Sequence, residues 1–124
     1  MNVSSRQYGN AVVVAVSGRL DQDTCEAFRG QLVAFVAAAA REAGAVVLDL
    51  SGLEYVSSAG LRCLMLASRE ARAKRARILV AALQPMVAEI FAISHFNLVF
   101  QVFATVRDAL ANVSPEAAMA FEAG

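Results

Sequence analysis

The segment Val12-Val13-Val14-Ala15-Val16 is apolar at every position, so a strand formed there has to be covered on both faces. A strand wet on one side would alternate apolar and polar residues. Ala45-Val46-Val47-Leu48-Asp49-Leu50 is a second short apolar run, and Arg77–Ala82 reads as a further strand. Between them lie segments of helical periodicity. Phe28, Leu32, Phe35, Val36 and Ala39 repeat at helical spacing, and Leu61, Leu64, Met65, Ser68 and Ala71 gather on one side of a helical wheel. Strands that alternate with helices need crossover connections, which implies a mostly parallel sheet.

The remaining elements follow from local signals. Val3–Tyr8 and Ala11–Ser17 form an opening hairpin turned at Gly9-Asn10. Gly18-Arg19-Leu20-Asp21 breaks the second strand, and Asp23-Thr24-Cys25-Glu26 reads as a capping box for a helix that runs to about Glu42 and is ended by Gly44. Ser51–Val56 reads as a loop, with a helix beginning near Ser58. Pro85 suits the first position of a third helix. Leu98–Phe103 is the last strand, and Thr105 caps a helix over Val106–Asn112. The expected fold is α/β: about five strands in a mixed, mostly parallel sheet, in the order ββαβαβαβα, with helices packed on it. One domain is expected over residues 1–113, followed over 114–124 by an Ala-rich segment that reads as a frayed tail or as an extension of the last helix, with Pro115 arguing for an interruption.

Composition narrows the function. Of the 124 residues, 58% are hydrophobic, against about 45–50% in ordinary soluble domains, and 26 are alanine. Eleven Lys and Arg balance eleven Asp and Glu, so the basic footprint of a nucleic-acid binder is missing. The longest apolar run, Leu32–Ala40, falls well short of the roughly 20 residues of a membrane span. No basic-then-apolar leader opens the chain, so no signal peptide is expected. Cys25 and Cys63 lie far apart in no ligand spacing, which suits a reducing, cytoplasmic setting and gives no metal centre. His95 is the single histidine, no Gly-x-Ser-x-Gly elbow is present, and neither nucleotide-binding glycine motif occurs. No catalytic set and no cofactor are expected; His95 reads as a turn residue.

The segment with most to offer is Tyr55-Val56-Ser57-Ser58-Ala59-Gly60-Leu61. It follows a buried strand and opens a helix, at the carboxyl end of a parallel sheet where functional sites gather. On the residues alone, Ser57 or Ser58 could be a simple N-cap. The longer run Asp49-Leu50-Ser51-Gly52-Leu53-Glu54-Tyr55-Val56-Ser57-Ser58-Ala59-Gly60-Leu61-Arg62 resembles the signature of the STAS family, the bacterial anti-sigma-factor antagonists. Two further stretches agree in order and spacing. Ser17-Gly18-Arg19-Leu20-Asp21 resembles the family's Gly-x-Leu-Asp turn, and Ile90–Phe100 resembles its passage from the third helix into the last strand.

The resemblance spans roughly Val3 to Asn112. It implies a binding switch: the protein binds an anti-sigma factor that is also a serine kinase, is phosphorylated by it, lets go, and is restored by a serine phosphatase. The acceptor position falls on Ser58. The residue before it is commonly Asp in the family and is Ser57 here, which makes Ser57 an alternative acceptor. Asp21 maps to the kinase-facing surface. The implied partner-binding group is Asp21, Ser57, Ser58, Ala59, Gly60, Arg62, Leu66 and Arg69, with Ser58, Arg62, Leu66 and Arg69 on one solvent-facing band. Six of the eleven basic residues lie in Arg62–Arg77, opposed there only by Glu70. Such a cluster reads equally as a solvated face or as a handle for an acidic partner. No nucleic acid, membrane span or cofactor is implied, and the chain is expected as a monomer or weak dimer. The same family also supplies unphosphorylated subunits of lipid-transport ABC complexes and stress-signalling assemblies, which is the alternative role.

Overall fold

A computed structural model describes residues 1–42 and 44–124. Its sheet has five strands: β1 (Asn2–Tyr8), β2 (Ala11–Leu20), β3 (Ala45–Val56), β4 (Arg77–Ala81) and β5 (Gln101–Phe103), which lie side by side in chain order. β1 pairs antiparallel with β2, and the other neighbours are parallel. The helices are α1 (Cys25–Arg41), α2 (Ser58–Ala73), α3 (Pro85–Ile93), α4 (Val106–Val113) and α5 (Pro115–Ala123), with a short 3-10 turn at Phe96–Leu98.

The doubly apolar strands are accounted for by two cores. Val14, Val16, Val46, Leu48, Leu50 and Val80 face α1, α2 and α3, where Phe28, Leu32, Val36, Leu64 and Phe91 meet them. Residues of the other parity, Ala11, Val13, Ala45, Val47, Leu79 and Ala81, face α4 and α5 through Ala109, Leu110 and Ala117. Side chains alternate across a strand, so covering both faces requires apolar residues at both parities.

In the sheet and at the C-terminal end the chain departs from the sequence expectation in four places. First, Ser51–Val56 is not a loop. β3 continues through it, because two irregularities in its pairing with β2 insert extra residues: Ala15 pairs with Asp49 but Ser17 with Gly52, and Gly18 with Leu53 but Arg19 with Tyr55. A bulged strand loses the strict period of two, so its pattern reads as irregular. Gly52 sits at the first offset, where a Cβ would come within 2.8 Å of the Ser17 side chain. Second, β2 runs on to Leu20 as the partner of this extension. Third, residues 115–123 are not a frayed tail. Ser114 accepts a hydrogen bond from Ala117 N and caps α5, Ala117 and Ala118 are buried, and Phe121 meets Tyr8 edge-on at 5.2 Å. Pro115 opens this helix at its first position. Fourth, the expected last strand at 98–103 is shortened to Gln101–Phe103, since its start forms the 3-10 turn.

Candidate functional site

β2 and β3 extend beyond β4, whose pairing with β3 ends at Ala81 opposite Asp49. Their overhang carries the loop before α1 and the junction into α2 side by side. At the junction, the Ser57 backbone N–H donates to the Leu20 carbonyl at 2.9 Å, which ties the end of β3 to the end of β2. The Ser57 hydroxyl accepts from Gly60 N–H at 3.1 Å and so caps α2. Ser58 is the first helical residue and is exposed. The two adjacent serines therefore hold different positions: one hydroxyl is engaged by the backbone, and the other has no hydrogen-bond partner among the described residues. The N–H groups of Ser58 and Ala59, in the first turn, have no acceptor within the helix.

Gly60 belongs to the packing and not to the surface. It is buried, and a Cβ there would lie 2.5 Å from the Leu20 carbonyl oxygen, 2.9 Å from Leu20 Cγ and 3.0 Å from Val56 Cγ2. The first turn of α2 can approach the end of β2 this closely only without a side chain. Gly60 thus leaves the set of surface-contact candidates and takes the role of positioning Ser58.

Asp21 flanks the junction. Its carboxylate Oδ1 accepts from the backbone N–H groups of Asp23 (3.0 Å) and Thr24 (3.3 Å), and Oδ2 lies 3.7 Å from Arg19 Nε. This corrects the expected capping box, because the Thr24 side chain makes no cap bond to α1. Thr24 Oγ1 instead accepts from Asp21 N–H and donates to the Arg19 carbonyl. An aspartate that folds its side chain onto the amides two and three residues ahead forms a turn of its own. Arg19 in turn lies over the Tyr55 ring, 4.3 Å from its centroid. Arg19, Asp21, Gln22, Asp23, Tyr55, Ser57, Ser58 and Ala59 line one shallow, open depression. The arginine–tyrosine stack was not among the residues singled out from sequence. The two are direct neighbours across β2 and β3, but the bulges displace the register that a sequence reading would assume.

The band on α2 lies as its periodicity places it, with Arg62 and Arg69 exposed and Leu66 half-buried. Within the basic stretch, Lys74 pairs with Glu70 at 3.4 Å, and Arg77 donates to Gln101 and Asn112. Arg62, Arg69, Arg72 and Arg75 make no ion pair among the described residues. His95 stands in the turn after α3, exposed and in the left-handed region at φ 61°.

With this geometry in place, comparison with known proteins is direct. The family model described as Mlab, STAS domain matches residues 3–102, from β1 to β5. The chain belongs to the STAS-domain family. BtrV of Bordetella bronchiseptica, assigned as an anti-sigma factor antagonist, is 32% identical to this STAS chain over 111 residues, covering 90% of it and 92% of BtrV. Among solved structures, a Thermotoga maritima protein assigned the same role fits with a TM-score of 0.80 at 12% identity, over 90% of this chain and 93% of that one. SpoIIAA, an anti-sigma factor antagonist, fits in its unphosphorylated form with a TM-score of 0.70 at 19% identity, over 90% of this chain and 95% of that one. The phosphorylated form of the Bacillus protein fits with a TM-score of 0.63 at 18% identity, over 90% and 98%. At these identities the structural likeness is one of fold, and it establishes the STAS fold for this chain. No helix among the described residues is long and apolar enough to cross a membrane.

Proposed function

We propose that this STAS chain is an anti-sigma-factor antagonist whose binding is switched by phosphorylation of Ser58. Unmodified, it binds a cytoplasmic anti-sigma factor that is also a serine kinase. Modified at Ser58 it releases that partner, and a serine phosphatase restores it. The chain itself supplies no catalytic centre in this reading. Its relative BtrV carries the antagonist assignment, which favours this role over that of a lipid-transport subunit.

The observation that carries the choice of residue is the division of labour at the junction. Ser57 spends its hydroxyl on the cap, while Ser58 offers a free, exposed hydroxyl one position later. A phosphate there adds about −1.5 to −2 charges. It would stand at a helix N-terminus beside unbonded N–H groups, where negative charge is favoured, so the fold is left intact. An interface closed over the same place would have to desolvate that charge with the Asp21 carboxylate nearby. A loss of about 3–4 kcal/mol weakens binding by roughly 100- to 1000-fold. Asp21, Arg62, Leu66 and Arg69 would form the docking face around it.

The test pairs the protein with its cognate anti-sigma kinase and ATP and reads intact mass. One phosphate enters the wild type and Ser57→Ala but not Ser58→Ala. Ser58→Asp loses kinase binding while keeping a wild-type circular dichroism spectrum and melting curve. Tight binding by Ser58→Asp, or phosphate retained in Ser58→Ala, would refute the assignment.

A further inference from the structure

Cys25 and Cys63 are 38 positions apart in sequence, and the packing of α1 against α2 brings them together. Cys25 is the first residue of α1, and Cys63 lies in the second turn of α2. Both are buried, 5% and 4% exposed. Glu26 reaches the same spot from the surface. Its Oε1 lies 3.9 Å from Cys63 Sγ, and the two sulfurs and the carboxylate oxygen all lie within 4.8 Å of one another.

We infer that Cys25, Cys63 and Glu26 form a site for a thiophilic divalent cation of the zinc and cadmium class. In a tetrahedral zinc centre, bonds of about 2.3 Å to sulfur and 2.0 Å to oxygen set the ligand atoms about 3.8 Å apart for two sulfurs and about 3.5 Å for sulfur and oxygen. To meet this the cluster needs to contract by at most about 1.0 Å between the sulfurs and about 1.3 Å between sulfur and oxygen, distances within side-chain rotation. Two sulfurs select a soft or borderline cation over magnesium or calcium. The buried sulfurs close the site on the core side. Exposed Glu26 leaves a solvent side, where water completes the coordination.

Binding displaces both thiol protons to solvent, so that one M2+ ion and two thiols give one dithiolate complex and two protons. The charged groups that face the cluster are Glu26 and Arg29, both on α1. Arg29 Nη1 lies 3.8 Å from Glu26 Oε2, the oxygen other than the Oε1 that faces Cys63, so Glu26 can ligate through Oε1 without leaving Arg29. Arg29 and the cation would therefore share that carboxylate, and the guanidinium charge beside it weakens its hold on a cation. The site joins the start of α1, just after the Asp21 turn, to α2 just after Ser58. A bound cation would brace the two segments that line the depression.

The experiment uses the full chain, untagged, reduced and stripped with chelator under anaerobic conditions, and titrates it with Cd2+ and then with Zn2+ in competition with a chromophoric chelator. One cation per chain, a thiolate-to-cadmium charge-transfer band, two protons released and a rise in melting temperature support the site. Cys63→Ala and Cys25→Ala should each lose the band and at least 100-fold in affinity. Arg29→Gln, which keeps both thiols and removes the positive charge beside Glu26, should bind more tightly than wild type. Should either cysteine variant fail to fold, the Arg29→Gln result and the wild-type proton count still decide the matter. Absence of the band in folded wild type, equal binding by the cysteine variants, or a pair that yields only a disulfide and takes up no metal once reduced would overturn the proposal.

Discussion

Replacement of Gly60 by alanine tests how tightly the start of α2 is seated. The added Cβ would stand 2.5 Å from a backbone oxygen, that of Leu20, and near Leu20 Cγ and Val56 Cγ2. A side-chain end could swing aside, but the carbonyl is fixed by its place in β2. Overpacking of this kind costs about 1–3 kcal/mol. Lifting α2 also strains the bond from Ser57 N–H to the same carbonyl, for roughly 1 kcal/mol more. Alanine's better helix propensity returns up to about 1 kcal/mol. The expected net loss is about 2 kcal/mol, or a fall in melting temperature of about 6–10 °C for a chain of this size. Gly30→Ala is the matched control. Gly30 lies on the exposed side of α1 with open space around its would-be Cβ, so the same substitution should stabilise by about 0.5–1 kcal/mol. Urea and thermal unfolding followed by circular dichroism read both. A Gly60→Ala variant that melts within about 2 °C of wild type would refute the close approach and, with it, the account of how Ser58 is positioned.

Alanine at the two serines should separate their roles: Ser57→Ala loses about 1 kcal/mol of unfolding free energy through the cap, and Ser58→Ala stays within about 0.5 kcal/mol. Equal losses would contradict the cap assignment. Deleting residues 115–124 should cost about 2 kcal/mol, from the buried Ala117 and Ala118 and the Tyr8–Phe121 contact, as a lower urea midpoint. An unchanged midpoint would show that α5 adds nothing. Burial, with Cys25 and Glu26 close by, pushes the Cys63 thiol from an ordinary 9.0 up to about 11. The folded state then holds that proton more firmly than the unfolded one, so the contribution is complete below pH 9 and is lost as pH rises through 9 to 11, by at most about 3 kcal/mol. Cys63→Ala should lose less stability than wild type over that window, and parallel alkaline profiles would count against the shift.

The sheet and the helices beside it were legible because burial on two faces leaves no freedom at Val12–Val16 or Ala45–Leu50. Misreadings cluster where a local pattern is broken by pairing. The bulges at Ser51–Val56 hid a strand, and the Asp21 turn imitated a capping box two residues too late. Helix α5 was hidden because a short Ala-rich segment gains stability only from a docking surface, here Tyr8 and the Asn10 side chain that accepts from Ser114 Oγ. Ser57, Ser58 and Asp21 could be named from the run of residues around them. Their juxtaposition with Arg19 and Tyr55, and the meeting of Cys25 with Cys63, depend on tertiary packing that one sequence does not display.

The sheet keeps its two cores on separate sides, with the Asp21–Ser58 depression built on the α1–α3 side and α4 and α5 on the other. Genetic lesions should therefore fall into two phenotypes. Damage around Ala109, Leu110 or Ala117 leaves the depression itself intact and acts by lowering the folded fraction, so the cell sees less protein, each copy still competent. On the proposed switch, damage at Ser58 or Arg62 would leave abundance normal and remove the response. Protein level against signalling output, plotted for a library of substitutions, would then trace two branches, and the side of the sheet would predict the branch.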